Sequence, residues 1–187
     1  MGFIILTKIM EKGAIFIDGG YLSKVLKNHF SEPRVDYLKM SNKICEDLNV
    51  SRLRTYFYDC MPVIRENNER DKLRYAEKQK FISKIQRLPR FEVKKGKLQI
   101  IGGEFKQKMV DVLMSLDIVD MCFEKQIHHA ILVAGDADFV PAIKKAKDCG
   151  AIVHLYYHPS DRNDALLDEI DELHPLTDEI ISQVLLS

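Results

Sequence analysis

The strongest constraint on the fold is a pair of short, wholly apolar runs, residues 14–17 (AIFI) and 131–134 (ILVA), each followed at once by glycine and aspartate, DGG in the first case and GDAD in the second. An apolar run without polar alternation suits a strand buried on both faces, as in a parallel sheet sandwiched between helices. The intervening chain supplies the helices. YLSKVLKNHF places Leu22, Val25, Leu26 and Phe30 on one helical side, VDYLKMSNKICEDL is a second helix, and RLRTYFYD is a strand. A long polar helix is expected from about residue 67 to Leu88, where Pro89 stops it. FEVKKGKLQII reads as a strand or a hairpin turning at Gly96 and ended by Gly102 and Gly103. A helix from about Phe105 to Glu124, the strand HAILVA, a helix opening near Asp138, the strand AIVHLYYH and an acidic helical tail over about 159–187 complete the chain. Strands alternating with helices predict an α/β fold with a mostly parallel central sheet covered on both faces. With 187 residues, 46% of them hydrophobic, the chain suits a single domain over 1–187 with its core at about 14–157.

Charge and cysteine usage narrow the function. Lys plus Arg and Asp plus Glu each number 28, so no whole-molecule field draws the protein to nucleic acid or to an anionic membrane, and local charge must carry any such argument. Cys45, Cys60, Cys122 and Cys149 are scattered without a CxxC pair, which fits a reducing, cytoplasmic setting. The N-terminal MGFIILTKIMEKG has an apolar patch too short to span a bilayer and reads as a short extension, with Met10 as an alternative start.

In open α/β sheets ligands bind outside the carboxyl ends of the strands, where the strand order reverses. If 14–17 and 131–134 are neighbouring central strands, Asp18, Asp136 and Asp138 converge there. An aspartate after a strand also serves as an N-cap for the next helix, and Asp138, ahead of FVPAIKKA, fits that role equally well. The helix QKMVDVLMSLDIVDM is apolar almost all round and is expected to be largely buried. Lys108, Asp111 and Ser115 share one sector of it, while Asp117 and Asp120 point elsewhere; a Lys108–Asp111 ion pair is the structural alternative. Several aspartates in one pocket raise one another's pKa unless a hard cation neutralises them, and all-oxygen ligands suit Mg²⁺ or Mn²⁺. No His and Cys spacing in the chain suggests zinc.

The segments AIFIDGGYL, KMVDVLMSLD and LVAGDADFVPAIKKAKDCGAIVHLY resemble, in order and spacing, the NYN domain, a PIN-like nuclease branch with LabA-like bacterial members. The likeness runs from about Ala14 to Tyr157, and the GD-x-DF-x-P block is its most specific part. It implies a Rossmann-like, three-layer, PIN-like fold, a metal site built from aspartates, and hydrolysis of RNA phosphodiesters. The family's acidic positions fall on Asp18, Asp111, Asp136 and Asp138, with Lys108 as the basic residue before the helix aspartate. Tyr21 stands where many members carry Asn, which keeps open an alternative: an RNA- or protein-binding regulatory domain with little turnover.

Competing motifs are weak. FIDGG lacks the second aspartate of a haloacid-dehalogenase-like phosphatase, GDAD lacks the partner glutamate of a Toprim domain, and neither GxGxxG nor GxxxxGK[ST] occurs. His128 and His129 read as a solvated turn. Tyr56, Phe57 and Tyr58 suit a strand core better than base stacking, and Asp59 behind them is a supporting acid. Between Asp71 and Lys97 there are ten Lys or Arg against three acids, so Lys78, Lys84 and Arg87 are candidate phosphate contacts, with an ordinary solvated face as the alternative. The acidic tail is expected to shield that basic face or to mark a homodimer contact.

Overall fold

A computed structural model describes residues 10–65, 68–101 and 104–186, with 97–101 and 104–108 given as backbone. The expected N-terminal extension before Met10 and the glycine stop at Gly102 and Gly103 lie outside the described residues.

Chain order runs β1 (Lys12–Asp18), α1 (Gly19–His29), α2 (Tyr37–Asp47), β2 (Ser51–Cys60), α3 (Glu69–Gln86), β3 (Phe91–Ile101), β4 (Glu104–Lys108), α4 (Val110–Phe123), β5 (His129–Val133), α5 (Val140–Asp148), β6 (Ile152–Tyr157), α6 (Asp164–Leu167), β7 (Glu172–Pro175) and α7 (Asp178–Gln183). The sheet order is β4-β3-β2-β1-β5-β6-β7; six strands are parallel and β4 alone is antiparallel, at the edge. This is an α/β, Rossmann-like, PIN-like three-layer architecture.

The central strands carry the core because their side chains alternate between two apolar layers. Ile15, Ile17, Ile131 and Val133 face one side, where Leu22, Ile44, Ile82 and Ile181 of α1, α2, α3 and α7 cover them. Ala14, Phe16, Ala130 and Leu132 face the other, under Met114, Ile143 and Leu166 of α4, α5 and α6. All eight strand residues are fully buried, each large one worth about 1.5–3 kcal/mol of transfer free energy. The apolar-run reading of β1 and β5 therefore describes their place at the centre of the sheet.

Several local expectations need correction. β3 passes straight through Gly96: up to that residue it pairs with β2, and from Lys97 onward with β4, so the glycine marks a change of partner and not a turn. The helix expected from about Phe105 starts only at Val110, because 104–108 is recruited as the edge strand β4 and Met109, in the left-handed region at φ 78°, redirects the chain. Lys108 thus sits on a strand and shares no helical sector with Asp111. Nor is α4 buried all round. It packs Val110, Met114, Ile118 and Met121 inward and leaves Val112, Leu116 and Phe123 more than half exposed, since a helix laid on one sheet face has an outer side whatever its sequence. The acidic tail is not purely helical either: Glu172, Leu173, His174 and Pro175 add β7 to the sheet.

Candidate metal centre

Strand order reverses between β1 and β5, which pair in parallel register from Gly13↔His129 to Ile17↔Val133. Asp18 ends β1, and Asp136 lies just past the end of β5. A cleft of about 480 Å³ opens there, and Asp18, Tyr21, Lys24, Asp111, Asp136 and Asn163 are among its walls.

Each carboxylate is placed by local backbone chemistry. Asp18 is the N-cap of α1 and accepts a 3.0 Å hydrogen bond from the Tyr21 amide. Gly19 follows because a Cβ there would lie 2.7 Å from the Phe57 ring and 2.9 Å from Asp59 Oδ2. Asp111 is in the first turn of α4, which has no side-chain cap and so presents free amides favourable to negative charge. Asp136 caps a short 3₁₀ turn by accepting the Asp138 amide at 3.1 Å. The capping role expected of Asp138 thus falls to Asp136, two residues earlier. Asp138 is exposed and lines, with Asp111 and Ser115, an adjoining groove of about 460 Å³.

Electrostatics set Asp18 and Asp111 apart from ordinary surface acids, whereas Asp136, like Asp138, is exposed. Burial, opposed by the Tyr21 amide but reinforced by the charges of Asp111 and Asp59, pushes Asp18 up to about 6. Burial raises Asp111 too, with the charges of Asp136 and Asp138 adding to it. Among the described residues no salt bridge neutralises Asp18, Asp111 or Asp136; the Lys108 side chain is not among those described. The cleft thus concentrates carboxylate oxygens, the donor set of a hard divalent cation.

The far wall was not foreseen. Asp161 and Asn163 follow β6, and Asp161 is strapped to α1 by Lys24 at 2.7 Å and by His29 at 2.6 Å. The hydrogen bonds to Lys24 and His29 hold its carboxyl below the usual range, opposite to Asp18. Tyr21 joins the same strap: its hydroxyl accepts the His158 amide at 2.9 Å, and its ring lies over Gly135, where a Cβ would come within 2.2 Å of it. A carboxylate behind a third strand end, in the sequence SDRND, was the available signal. Asp117 accepts the Tyr58 hydroxyl at 2.7 Å and meets Lys94 at 3.4 Å, so it is a structural acid, whereas Asp120 is exposed.

The basic segment divides. On α3, Lys78 is half-buried with its ammonium against Asp59 Oδ2, while Lys84 and Arg87 are exposed. Cys45, Cys122 and Cys149 are free thiols, and among the described residues no helix is long and apolar enough to cross a membrane.

The NYN domain family matches over residues 12–177. A crystal structure of a protein of unknown function from Vibrio parahaemolyticus superposes with a TM-score of 0.65 over 96% of this chain and 99% of that one; at 20% identity this is a likeness of fold alone. An uncharacterized protein, y4oD, from Sinorhizobium fredii is 32% identical over 65 residues, which is 34% of this chain and 30% of that relative's length. The family match covers nearly the whole α/β sheet, including both strands that carry the aspartates, and the chain belongs to the NYN domain family, a PIN-like branch of the nucleases.

Proposed function

We propose that this chain, acting as one NYN domain, is a metal-dependent ribonuclease that hydrolyses RNA phosphodiester bonds with Mg²⁺ or Mn²⁺ held by Asp18, Asp111 and Asp136, Asp138 completing the set from the adjoining groove. The observation that carries this reading is the convergence at the switch point of Asp18, Asp111 and Asp136, which have no salt bridge among the described residues, with Asp18 raised to about 6. A bound divalent ion supplies Lewis acidity toward water and toward a phosphoryl oxygen. The protein's part is to hold the oxygens: Asp18 through its α1 cap, Asp136 through its 3₁₀ turn, and Asp111 through the first turn of α4. Above about pH 6 the Asp18 carboxylate is ionised and fit to bind; below it, protons compete with metal. Lys24 is committed to Asp161, which leaves Lys108, on the strand leading to Asp111, as the basic group for the substrate phosphate. RNA as substrate and a cytoplasmic setting belong to the same proposal.

A second reading, an RNA- or protein-binding regulator of little turnover, has one observation in its favour: Tyr21 fills the space beside Gly135 and bonds the His158 amide, so a polar side chain is lost from that wall. Incubating the protein with labelled single-stranded and structured RNA in Mn²⁺, Mg²⁺ or EDTA separates the two. Metal-dependent fragments are expected; RNA shifted in a gel but intact in every metal selects the binder.

A further inference from the structure

Beyond the β1–β5 junction that holds the cleft, three histidines run diagonally across β5, β6 and β7 on one sheet face, from the first residue of β5 to the C-terminal half of β7. His129 Nδ1 lies 2.9 Å from His154 Nε2, and His154 Nδ1 lies 3.3 Å from His174 Nε2. Register explains the line. Ile131 pairs with His154 and Tyr156 with His174, so each ring is two residues out of step with the next and reaches it along the diagonal. Glu172 pairs directly with His154, and its Oε2 comes within 3.3 Å of His154 Nδ1 and 3.8 Å of His174 Nε2.

Two imidazole nitrogens and one carboxylate oxygen thus face a common point. A tetrahedral zinc with ligands at about 2.0–2.2 Å places its donor atoms about 3.3–3.6 Å apart. Two of the observed separations, 3.3 and 3.3 Å, fall within that spacing, and the third, 3.8 Å, lies just beyond it. A proton could bridge two of these atoms, but the third lone pair would then be left facing them. Behind the point stands a relay suited to a metal ligand. His154 Nε2–H donates to His129 Nδ1, and His129 Nε2–H donates to Glu11 Oε2 at 2.8 Å, which fixes His154 in the tautomer with Nδ1 free to ligate. The Tyr156 ring stacks on His174 at 4.7 Å and sets the plane of the second imidazole. Glu172 is more than half exposed and His174 partly so, which gives an entry path and leaves a fourth position to water.

We propose that His154, Glu172 and His174 form a second metal site, specific for Zn²⁺ or a similar nitrogen-preferring ion, that pins the edge strand β7 to β6 and is separate from the aspartate cleft. Nitrogen donors favour zinc, cobalt and nickel over magnesium, so the two sites sort cations by chemistry. Neither His-rich spacing nor a CxxC pair marks it in the sequence; the one local signal is Glu172-x-His174, two ligands on one face of a strand.

The test uses the full chain carrying Asp136→Asn, stripped with chelator and dialysed, with Zn²⁺ followed by calorimetry and Co²⁺ by visible absorption. One equivalent of Zn²⁺ and the intense d–d bands of four-coordinate Co²⁺ are expected. Glu172→Gln or His174→Ala, each confirmed as folded by circular dichroism, should abolish the bands. His129→Gln should keep them while weakening affinity about 10–100-fold, the mark of a positioning residue. Absence of Zn²⁺ uptake by the folded parent, or unchanged Co²⁺ bands in folded His174→Ala, overturns the proposal.

Discussion

Asp18 and Asp59 occupy nearly equivalent places yet live in opposite fields. They end the adjacent strands β1 and β2, one register step apart, and both are largely buried. Asp59 has the Lys78 ammonium against its Oδ2, as a point charge more than an aligned hydrogen bond, and accepts the Cys60 amide at 2.7 Å. Asp18 has a backbone amide and two neighbouring acids. The position of a carboxylate at a strand end therefore does not define its role; the sign of the nearest charge does. Asp59 is a charge already answered by the fold, whereas Asp18 has no salt-bridge partner among the described residues.

Catalysis should split the pair most widely. Asp18→Asn or Asp136→Asn is expected to lower RNA cleavage by about 10³-fold, equivalent to about 4 kcal/mol of transition-state stabilisation, because asparagine keeps shape and capping but weakens the hold on a divalent ion. Asp59→Asn should stay within about tenfold of wild type, and the exposed Asp120→Asn at wild type. Rates with saturating RNA and Mn²⁺ measure this; a folded Asp18→Asn protein of normal rate would remove the metal-site assignment.

The next largest effect is a pH dependence without substrate. The folded pKa of Asp18, about 6, exceeds the unfolded 3.8, so between these values the folded state binds more protons and stability falls as pH rises. The penalty is complete above about 6 and amounts to about 3 kcal/mol. His154 works in the other direction: its folded value of about 4 lies below the usual 6.5, so its contribution rises with pH across the same window. The wild-type curve in EDTA therefore sums opposing contributions, and the difference between Asp18→Asn and wild type isolates the aspartate. That difference should favour the mutant increasingly from pH 4 to 6 and then level off. A flat difference in urea melts would mean that Asp18 carries no repulsion.

Removing the cation from the other member of the pair has the opposite sign. Lys78→Met leaves Asp59 buried and unpaired, at an expected cost of about 2 kcal/mol, below the usual range for fully buried pairs because the lysine is a quarter exposed. For a chain of this size that is a fall of about 4–8 °C in melting temperature, readable by thermal scan. An unchanged melting temperature would show that Asp59, like Asp18, stands alone.

The legible part of the molecule was the part written in contiguous residues. The runs at 14–17 and 131–134, being apolar without alternation, announced central strands, and their terminal aspartates announced the crevice between them. What stayed hidden was set by pairing across the sheet. Residues 104–108 become β4 because β3 offers an edge, which propensity cannot register. Lys78 meets Asp59, Lys24 and His29 meet Asp161, and His154 meets His174 through contacts between elements distant in sequence or decided by strand register. The tail escaped for the same reason: its acidic composition suggested helix, yet the open edge of β6 turned four of its residues into β7.

The smallest expected effect concerns RNA binding, and it sharpens the distinction between an engaged and a free cation on one helix. Lys78 already neutralises Asp59, so its replacement should change the salt dependence of RNA affinity little while lowering stability. Lys84 and Arg87, at the exposed C-terminal end of α3, have charge to spare for phosphates. For single-stranded RNA each lost phosphate contact removes about 0.7 from the slope of log affinity against log salt, so Lys84→Gln with Arg87→Gln should flatten the slope by about 1.4 and leave the melting temperature within a degree or so. The measurement is fluorescence anisotropy of a short labelled RNA with Asp136→Asn protein, which is expected to bind without cutting, across a salt series. Equal slopes in the double mutant and its parent would return Lys84 and Arg87 to an ordinary solvated surface. A slope changed by Lys78→Met alone would mean that the Asp59 pair opens for RNA, and the contrast between the two strand-end aspartates would then describe the free protein but not its complex.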